Sequence, residues 1–254
     1  MTNDIIITDD DSVAIVTINR APTNYFDLSL ISQIANAYEA AAAGGARAVV
    51  LRSDGKHFCA GADFSGGEMA TDRNATTERL YREAIKLFRA RLPIVAAVQG
   101  SAVGGGLGLA CSADFRVASS ATRFHANFSM LGFHQGFGIS ETLPAIVGHQ
   151  AAMDLLYTSR RVDGEQAFTL GLADRLAEAG RETEVALEYA HEIANAAPLA
   201  VQSMKLTLRG GLADRVAVVV ERELAEQKIL WDTADSQEGI RANIAREVPS
   251  FIGK

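Results

Sequence analysis

An apolar run that ends in three consecutive glycines constrains this chain more than any other feature of its sequence. Residues 93–98 (PIVAAV) predict a buried strand, and residues 107–110 (LGLA) predict the start of a buried helix. Gly104, Gly105 and Gly106 lie between them without side chains, so the backbone N–H groups at the helix start are uncovered. Such a turn suits a phosphate, a carboxylate or a carbonyl oxygen that becomes negative during a reaction. Close packing of helix on strand is the structural alternative.

A second bend of small residues follows the predicted strand 48–52. It runs from Lys56 to Phe64 and reads KHFCAGADF. Two bends with uncovered backbone can each supply one N–H to a single oxygen, which is the minimum description of an oxyanion hole. The pair therefore indicates acyl chemistry more strongly than either bend alone.

The two bends together resemble the enoyl-CoA hydratase/isomerase (crotonase) superfamily. Its patterns F-x-A-G-A-D and G-x-x-x-G-G-G occur here at residues 58–63 and 100–106. The resemblance implies that the N–H groups of Ala62 and Gly105 form the oxyanion hole. The further candidates for the substrate site are Ala60, Phe64, Gly104, Gly108 and Phe128.

The resemblance extends from the strand at residues 13–18 to Glu238–Arg241 and implies an α/β fold. That fold is a crotonase-like spiral of β-β-α turns with a C-terminal helical trimerisation region. We expect residues 1–195 to form the acyl-CoA-binding core and residues 196–254 to form the oligomerisation region. A homotrimer or a dimer of trimers is the expected assembly.

The chain departs from the hydratases of this superfamily at two positions. Their two glutamates correspond to Gly108 and Phe128, so both carboxylates are missing. Hydration of a double bond needs one group to activate water and another to protonate carbon. We therefore expect nonstandard acid/base chemistry, namely isomerisation, decarboxylation, C–C hydrolysis or an atypical hydration. A catalytically silent acyl-CoA-binding or scaffold protein is the alternative.

His134 and Glu141 are the candidates for the missing acid/base groups. His134 follows Phe128 in the same predicted loop, and a histidine side chain can act as a general acid or base. Glu141 begins the next predicted helix, where the helix dipole alone explains an acidic residue. A structural role is the alternative for both residues.

Coenzyme A would enter only as part of a thioester substrate, and no other cofactor or metal is expected. The resemblance places Lys56 near the nucleotide, with Arg20 as a second candidate. Arg246 takes the place of a C-terminal lysine that family members often supply from a neighbouring subunit.

Composition agrees with a soluble globular enzyme. The 254 residues are 48% apolar and carry a formal net charge of −7, with no block of Lys and Arg. This charge opposes nucleic-acid and anionic-membrane binding, and no apolar run is long enough to span a bilayer. Cys59 and Cys111 lack metal-site spacing, so we expect reduced thiols, a buried Cys59 and a cytoplasmic protein.

Local patterns predict several elements around the two bends. Strands at 5–8 and 13–18 form a hairpin, and a helix runs from Asp27 to Gly44. Residues 63–77 predict a mobile loop, and residues 77–91 predict a helix whose apolar face walls the acyl pocket or the core. Asp114 is expected to be a structural hydrogen-bonding residue.

Overall fold

The computed structural model describes residues 4–63 and 72–254. The strands are β1 (Ile5–Asp10), β2 (Val13–Ile18), β3 (Ala48–Ser53), β4 (Ile94–Ala97), β5 (Ser101–Val103), β6 (Phe115–Ser119), β7 (Arg123–His125), β8 (Arg161–Asp163) and β9 (Arg175–Ala177). The α-helices are α1 (Leu28–Ala43), α2 (Arg73–Ala84), α3 (Gly105–Ser112), α4 (Ile139–Val147), α5 (His149–Thr158), α6 (Gly164–Thr169), α7 (Glu182–Ala194), α8 (Pro198–Arg209), α9 (Leu212–Leu230) and α10 (Ala234–Ala245). Short 3-10 helices span Ile85–Arg89 and Ser129–Leu131.

The main sheet has the strand order β1-β2-β3-β4-β6-β9, and every pair after the antiparallel β1–β2 hairpin is parallel. Successive side chains of a strand point to opposite faces, so β3 places Val49 and Leu51 in one hydrophobic core and Ala48 and Val50 in another. Helix α7 covers the second core with alanines. Burial on both faces explains why these strands are apolar throughout.

A second sheet, with the order β5-β7-β8, lies beyond the carboxyl ends of β4 and β6. The chain visits the two sheets alternately: β4 and β6 belong to the first, and β5 and β7, which follow them, belong to the second. Helix α3 follows β5 and returns the chain to β6. The alternation produces the expected strand–strand–helix turns and places the glycine-rich bend between the two sheets.

The predicted hairpin and the helix that follows Asp27 are confirmed. Asp27 caps α1 by accepting the N–H of Leu30 at 2.8 Å. The helix predicted at 77–91 is wrong in its bounds, because the Asp72 carboxylate caps a start at Arg73 and the α-helix gives way to a 3-10 turn after Ala84. The predicted loop is likewise wrong for residues 73–77, while residues 64–71 lie outside the described part.

Asp114 has the predicted structural role. Its carboxylate accepts the N–H of Ile94 at 2.7 Å and pairs with Lys205 at 2.8 Å and Arg209 at 3.0 Å. These contacts hold α8 against the main sheet.

Helix α9 packs against α2 and α4, so the helices after residue 196 contact the core directly. The boundary at residue 195 stays a prediction. Within the described ranges, no helix combines the length and apolar content that crossing a membrane requires.

Candidate active site

The two predicted bends meet beside β5. Cys59 donates its N–H to the Ser101 carbonyl at 3.1 Å, and its own carbonyl accepts the N–H of Val103 at 3.0 Å, so the first bend runs alongside the strand that leads into the second. Ala62 forms an isolated bridge with Phe26. Among residues 4–63 and 72–254, neither the Ala62 N–H nor the Gly105 N–H donates to a protein acceptor. The bends thus offer two backbone donors in one region.

All three glycines of the triplet are required by the local geometry, and a Cβ on Gly106 would lie 2.1 Å from the Cys59 carbonyl oxygen. Gly104 has φ 54° and ψ −120°, a conformation that L side chains rarely adopt, and its N–H is tied to the His125 carbonyl at 2.8 Å. A Cβ on Gly105 would lie 2.3 Å from a ring carbon of Phe26. The bend is therefore packed against aromatic carbon on one side and against strand β7 on the other.

These donors face a cavity of about 1220 Å³. One wall is aromatic: the Phe133 ring lies edge-on to Phe128 at 6.2 Å and to Trp231 at 5.9 Å between centroids. All three side chains are buried and line the cavity, together with Leu80 and Leu131. An apolar portion of a ligand therefore has a dry surface to pack against.

A second wall of the cavity is polar and comes from the second sheet. The register aligns Val103 with His125 and His125 with Arg161, and these three side chains line the cavity. The intervening residues, Ala102 and Phe124, point into the core because side chains alternate along a strand. The cavity therefore has one aromatic and one cationic side.

The family model for enoyl-CoA hydratase/isomerase matches residues 8–254. The chain belongs to this family. A putative enoyl-CoA hydratase of Thermus thermophilus is 38% identical over 220 residues, which cover 82% of this chain and 83% of the relative. A probable enoyl-CoA hydratase of Mycobacterium tuberculosis is 32% identical over 248 residues, covering 97% and 98% of the two chains.

The crystal structure of an enoyl-CoA hydratase/isomerase from Pseudoalteromonas atlantica superposes with a TM-score of 0.86 at 28% identity. The match covers 98% of this chain and 100% of the other. Together with the family match, this likeness confirms the crotonase-like α/β fold that the sequence predicted.

In this enoyl-CoA hydratase/isomerase family member, seven of the predicted site residues line the cavity beside the two bends. They are Arg20, Ala60, Ala62, Gly104, Gly105, Phe128 and Arg246. Arg20 is a predicted contact of the nucleotide, but its guanidinium pairs with two carboxylates of the protein. These are Asp4 at 2.7 Å and Asp27 at 2.8 Å. Phe64 lies outside the described residues.

Four predicted residues do not line the cavity. Lys56 is exposed elsewhere, and Gly108 is covered by Phe137. Glu141 pairs with Arg215 at 2.6 Å on the surface of α4. The His134 ring donates Nδ1–H to the carbonyl of the next residue, Gln135, at 2.8 Å. The structure thus gives neither titratable candidate a place beside the two backbone donors, and their catalytic roles stay predictions.

His125 is the imidazole that does line the cavity. Its Nε2 lies 2.8 Å from the Ser159 carbonyl, which can only accept, so this nitrogen carries the proton and Nδ1 is left as the acceptor. Burial, and secondarily the nearby charge of Arg161, lowers the pKa of the ring below its usual 6.5. His125 is therefore a neutral base held beside the glycine bend.

The thiol next to the first bend is not an activated nucleophile. Cys59 is fully buried, and this burial raises its pKa to about 12. The thiolate is the reactive form of cysteine, and it is essentially unpopulated near neutrality in this site. The structural interpretation of Cys59 is therefore supported.

The sequence predicts no site role for Arg161 of the polar wall, and it favours a structural role for His125 over one in lining the pocket. The signal that finds them is the alternation of β7 and β8: Phe124 and Val162 are apolar, and the flanking positions are polar. Short strands of this kind are identified only once their pairing is known. The polar wall therefore required the topology.

Proposed function

We propose that this chain is an acyl-CoA enzyme that stabilises a thioester enolate between the N–H groups of Ala62 and Gly105. The observation that carries the proposal is the pair of backbone donors at the cavity, without an acceptor among the described residues, in a chain of the enoyl-CoA hydratase/isomerase family. Hydrogen-bond donors fixed at the site of developing charge lower a barrier because they need no reorganisation during reaction.

Exchange and isomerisation at such a site begin with loss of a proton. A base takes the proton from the carbon next to the thioester carbonyl, and the C–H electron pair becomes a C=C bond. The carbonyl oxygen then holds the negative charge, which the two N–H groups stabilise. Return of a proton at the same or a vinylogous carbon gives exchange or isomerisation.

The surroundings of the two hydratase positions support a route without a glutamate pair. Gly108 has no side chain, and Phe137 occupies the space beside it. Phe128 contributes an aromatic ring to the cavity. We therefore propose isomerisation, decarboxylation, C–C hydrolysis or an atypical hydration in place of the ordinary glutamate-assisted hydration.

His125 is the base that the geometry favours for this step. Its Nδ1 has no hydrogen-bond partner among the described residues, and its backbone carbonyl holds Gly104 in place beside the donor of Gly105. A positioned imidazole typically contributes 100- to 10,000-fold to the rate of a proton transfer. His134 remains the alternative from the sequence, although it does not line the cavity in this structure.

Oligomerisation as a trimer or a dimer of trimers is proposed for the same chain. Helix α8 buries none of its residues, and Leu199, Leu206 and Leu208 are 79%, 75% and 83% exposed. Large apolar side chains concentrated on one exposed helix are typical of a protein–protein contact. Light scattering after gel filtration measures the expected three- or sixfold mass.

Hydrogen–deuterium exchange tests the proposed function even while the overall reaction is unidentified. Incubation of the protein with butyryl-CoA in D₂O should incorporate deuterium next to the thioester carbonyl, and mass spectrometry would record it. A parallel turnover screen uses enoyl-, β-ketoacyl- and malonyl-type thioesters. Tight binding of these thioesters without exchange or turnover would favour the silent acyl-CoA-binding alternative. Absence of binding would contradict both.

A further inference from the structure

Arg161 is a cation of the cavity wall that the described part of the structure leaves without a counter-charge. Its side chain is exposed, lines the cavity and makes no hydrogen bond or ion pair with any residue in 4–63 or 72–254. The adjacent Arg160 differs: its guanidinium pairs with Asp154 at 2.6 Å and does not line the cavity. Two neighbouring arginines thus have opposite surroundings.

The other arginines that line this cavity are Arg20, Arg79, Arg123 and Arg246, and the first three have partners, with the Arg79 Nε–H donating to the Ala75 carbonyl at 3.4 Å. Arg20 is paired with two carboxylates, and Arg123 donates to the carbonyls of Ser120 and Thr122 at 2.7 Å each. Arg246 lines the cavity from the end of α10 and makes no ion pair among the described residues. The resemblance predicts that Arg246 contacts coenzyme A in place of a lysine from a neighbouring subunit, so we assign a phosphate to Arg246 and consider another anion for Arg161.

The position of Arg161 relative to the glycine bend indicates which anion that is. Val103, His125 and Arg161 are aligned across three neighbouring strands, and Gly104 follows Val103 directly. Two strand spacings amount to about 10 Å, which separates the backbone of Arg161 from that of Val103. Arg161 therefore belongs to the cavity wall that begins at the glycine bend, whereas the pantetheine arm of a bound thioester separates its phosphates from that bend.

The chemistry of the wall fits a carboxylate. A guanidinium binds a planar carboxylate through two parallel hydrogen bonds. The Asn127 side chain lines the same cavity and forms no hydrogen bond within the described ranges, so its amide offers a further donor. The aromatic wall formed by Phe128, Phe133 and Trp231 accepts the apolar part of the same acyl group.

We propose that Arg161 binds a carboxylate at the far end of the substrate's acyl group, so that the substrate class is a dicarboxylic acyl-CoA thioester. The inference rests on the proposed function, because it places the thioester carbonyl at Ala62 and Gly105. It assigns Arg161 to recognition and gives it no part in bond making.

The test compares two thioesters of equal carbon number, glutaryl-CoA and pentanoyl-CoA, with free coenzyme A as the third ligand. Isothermal titration measures the dissociation constant of each for the wild type, Arg161→Gln and the matched control Arg160→Gln. We expect Arg161→Gln to raise the dissociation constant of glutaryl-CoA at least 10-fold. The dissociation constants of pentanoyl-CoA and coenzyme A should stay within twofold of the wild-type values. Arg160→Gln should change none of them. Both positions are exposed, and circular dichroism would verify the fold.

Three outcomes would overturn the inference. An equal loss for all three ligands would mean that Arg161 contacts a phosphate of coenzyme A. Unchanged binding of all ligands would remove Arg161 from recognition. Binding of pentanoyl-CoA with no measurable binding of glutaryl-CoA to the wild type would exclude the substrate class while the proposed function stands. If the wild type binds neither thioester, the proposed function itself fails.

Discussion

Phe137 occupies the space into which a side chain at Gly108 would project. A Cβ built on Gly108 would lie 2.8 Å from both Cβ and Cδ1 of Phe137, whose ring is fully buried and packs against Phe26. The position that corresponds to a hydratase glutamate is therefore closed by packing, in addition to lacking a carboxylate.

Gly108→Glu should consequently destabilise the protein and should not restore hydration. Overpacking of a filled site typically costs about 1–3 kcal/mol, and a buried carboxylate adds to this cost. Urea unfolding at pH 7 measures the loss. The double variant Gly108→Glu/Phe137→Ala should lose less than the sum of the two single variants, because removal of the ring makes room for the new side chain. Additive losses would show that Phe137 does not compete for this space.

Loss of the Ala62 N–H should slow exchange at the carbon next to the thioester carbonyl. Ala62→Pro removes this donor, and removal of one oxyanion-hole donor typically costs 100- to 1000-fold in rate. Ala62→Gly keeps the N–H and is the matched control. The Gly105→Pro variant is less informative, since any Cβ there meets the Phe26 ring at 2.3 Å. Full exchange by a folded Ala62→Pro protein would contradict the oxyanion hole.

Variants of His125 and His134 distinguish the base that the structure favours from the base that the sequence predicts. His125→Gln should lower turnover by 100- to 10,000-fold with thioester binding retained, whereas His134→Gln should leave turnover within a fewfold. The reverse result would return the proton carrier to His134. Both variants are measured with the substrate that the turnover screen identifies.

The lowered pKa of His125 predicts how the rate and the stability of the protein depend on pH. The folded protein lowers the pKa of His125 below 6.5, mainly by burial, so the ring is neutral at pH 7. The rate should fall as the pH decreases through this lowered value, because protonation removes the base. Stability should change in the same direction: below about pH 6.5 the unfolded chain binds the proton more readily, which favours unfolding. The decrease in rate and the decrease in stability at low pH should both be smaller in His125→Gln.

Thiol reactivity provides a check on the core around the first bend. Burial raises the pKa of Cys59 to about 12 and that of Cys111 to about 11. Neither thiol should react appreciably with a thiol reagent at pH 8 until the protein unfolds, since the thiolate is the attacking form. Kinetics with and without urea measure the difference. Rapid labelling of the native protein would contradict the buried placement.

The sequence predicted the backbone of the site better than its side chains. Uncovered N–H groups follow from local glycine patterns, so the bends at Ala62 and Gly105 could be located before the fold was known. The direction of the His134 ring could not be predicted in this way. The turn that carries His134 depends on the packing of Gly136 against Tyr81 and on the left-handed conformation of Gly138. Arg161 is distant from His125 in the chain and adjacent to it only through strand register.

The cavity is lined from Arg20 near one end of the chain to Arg246 near the other. The last helix, α10, closes it: Gly239 approaches the backbone of Leu131 so closely that a Cβ would lie 2.6 Å away, and the Asp235 carboxylate holds the N–H groups of Ile252 and Gly253 at 2.7 and 2.8 Å. During synthesis the two bends emerge from the ribosome long before this helix. The cavity-lining residues at the end of α10 are therefore the last part of the site to be synthesised.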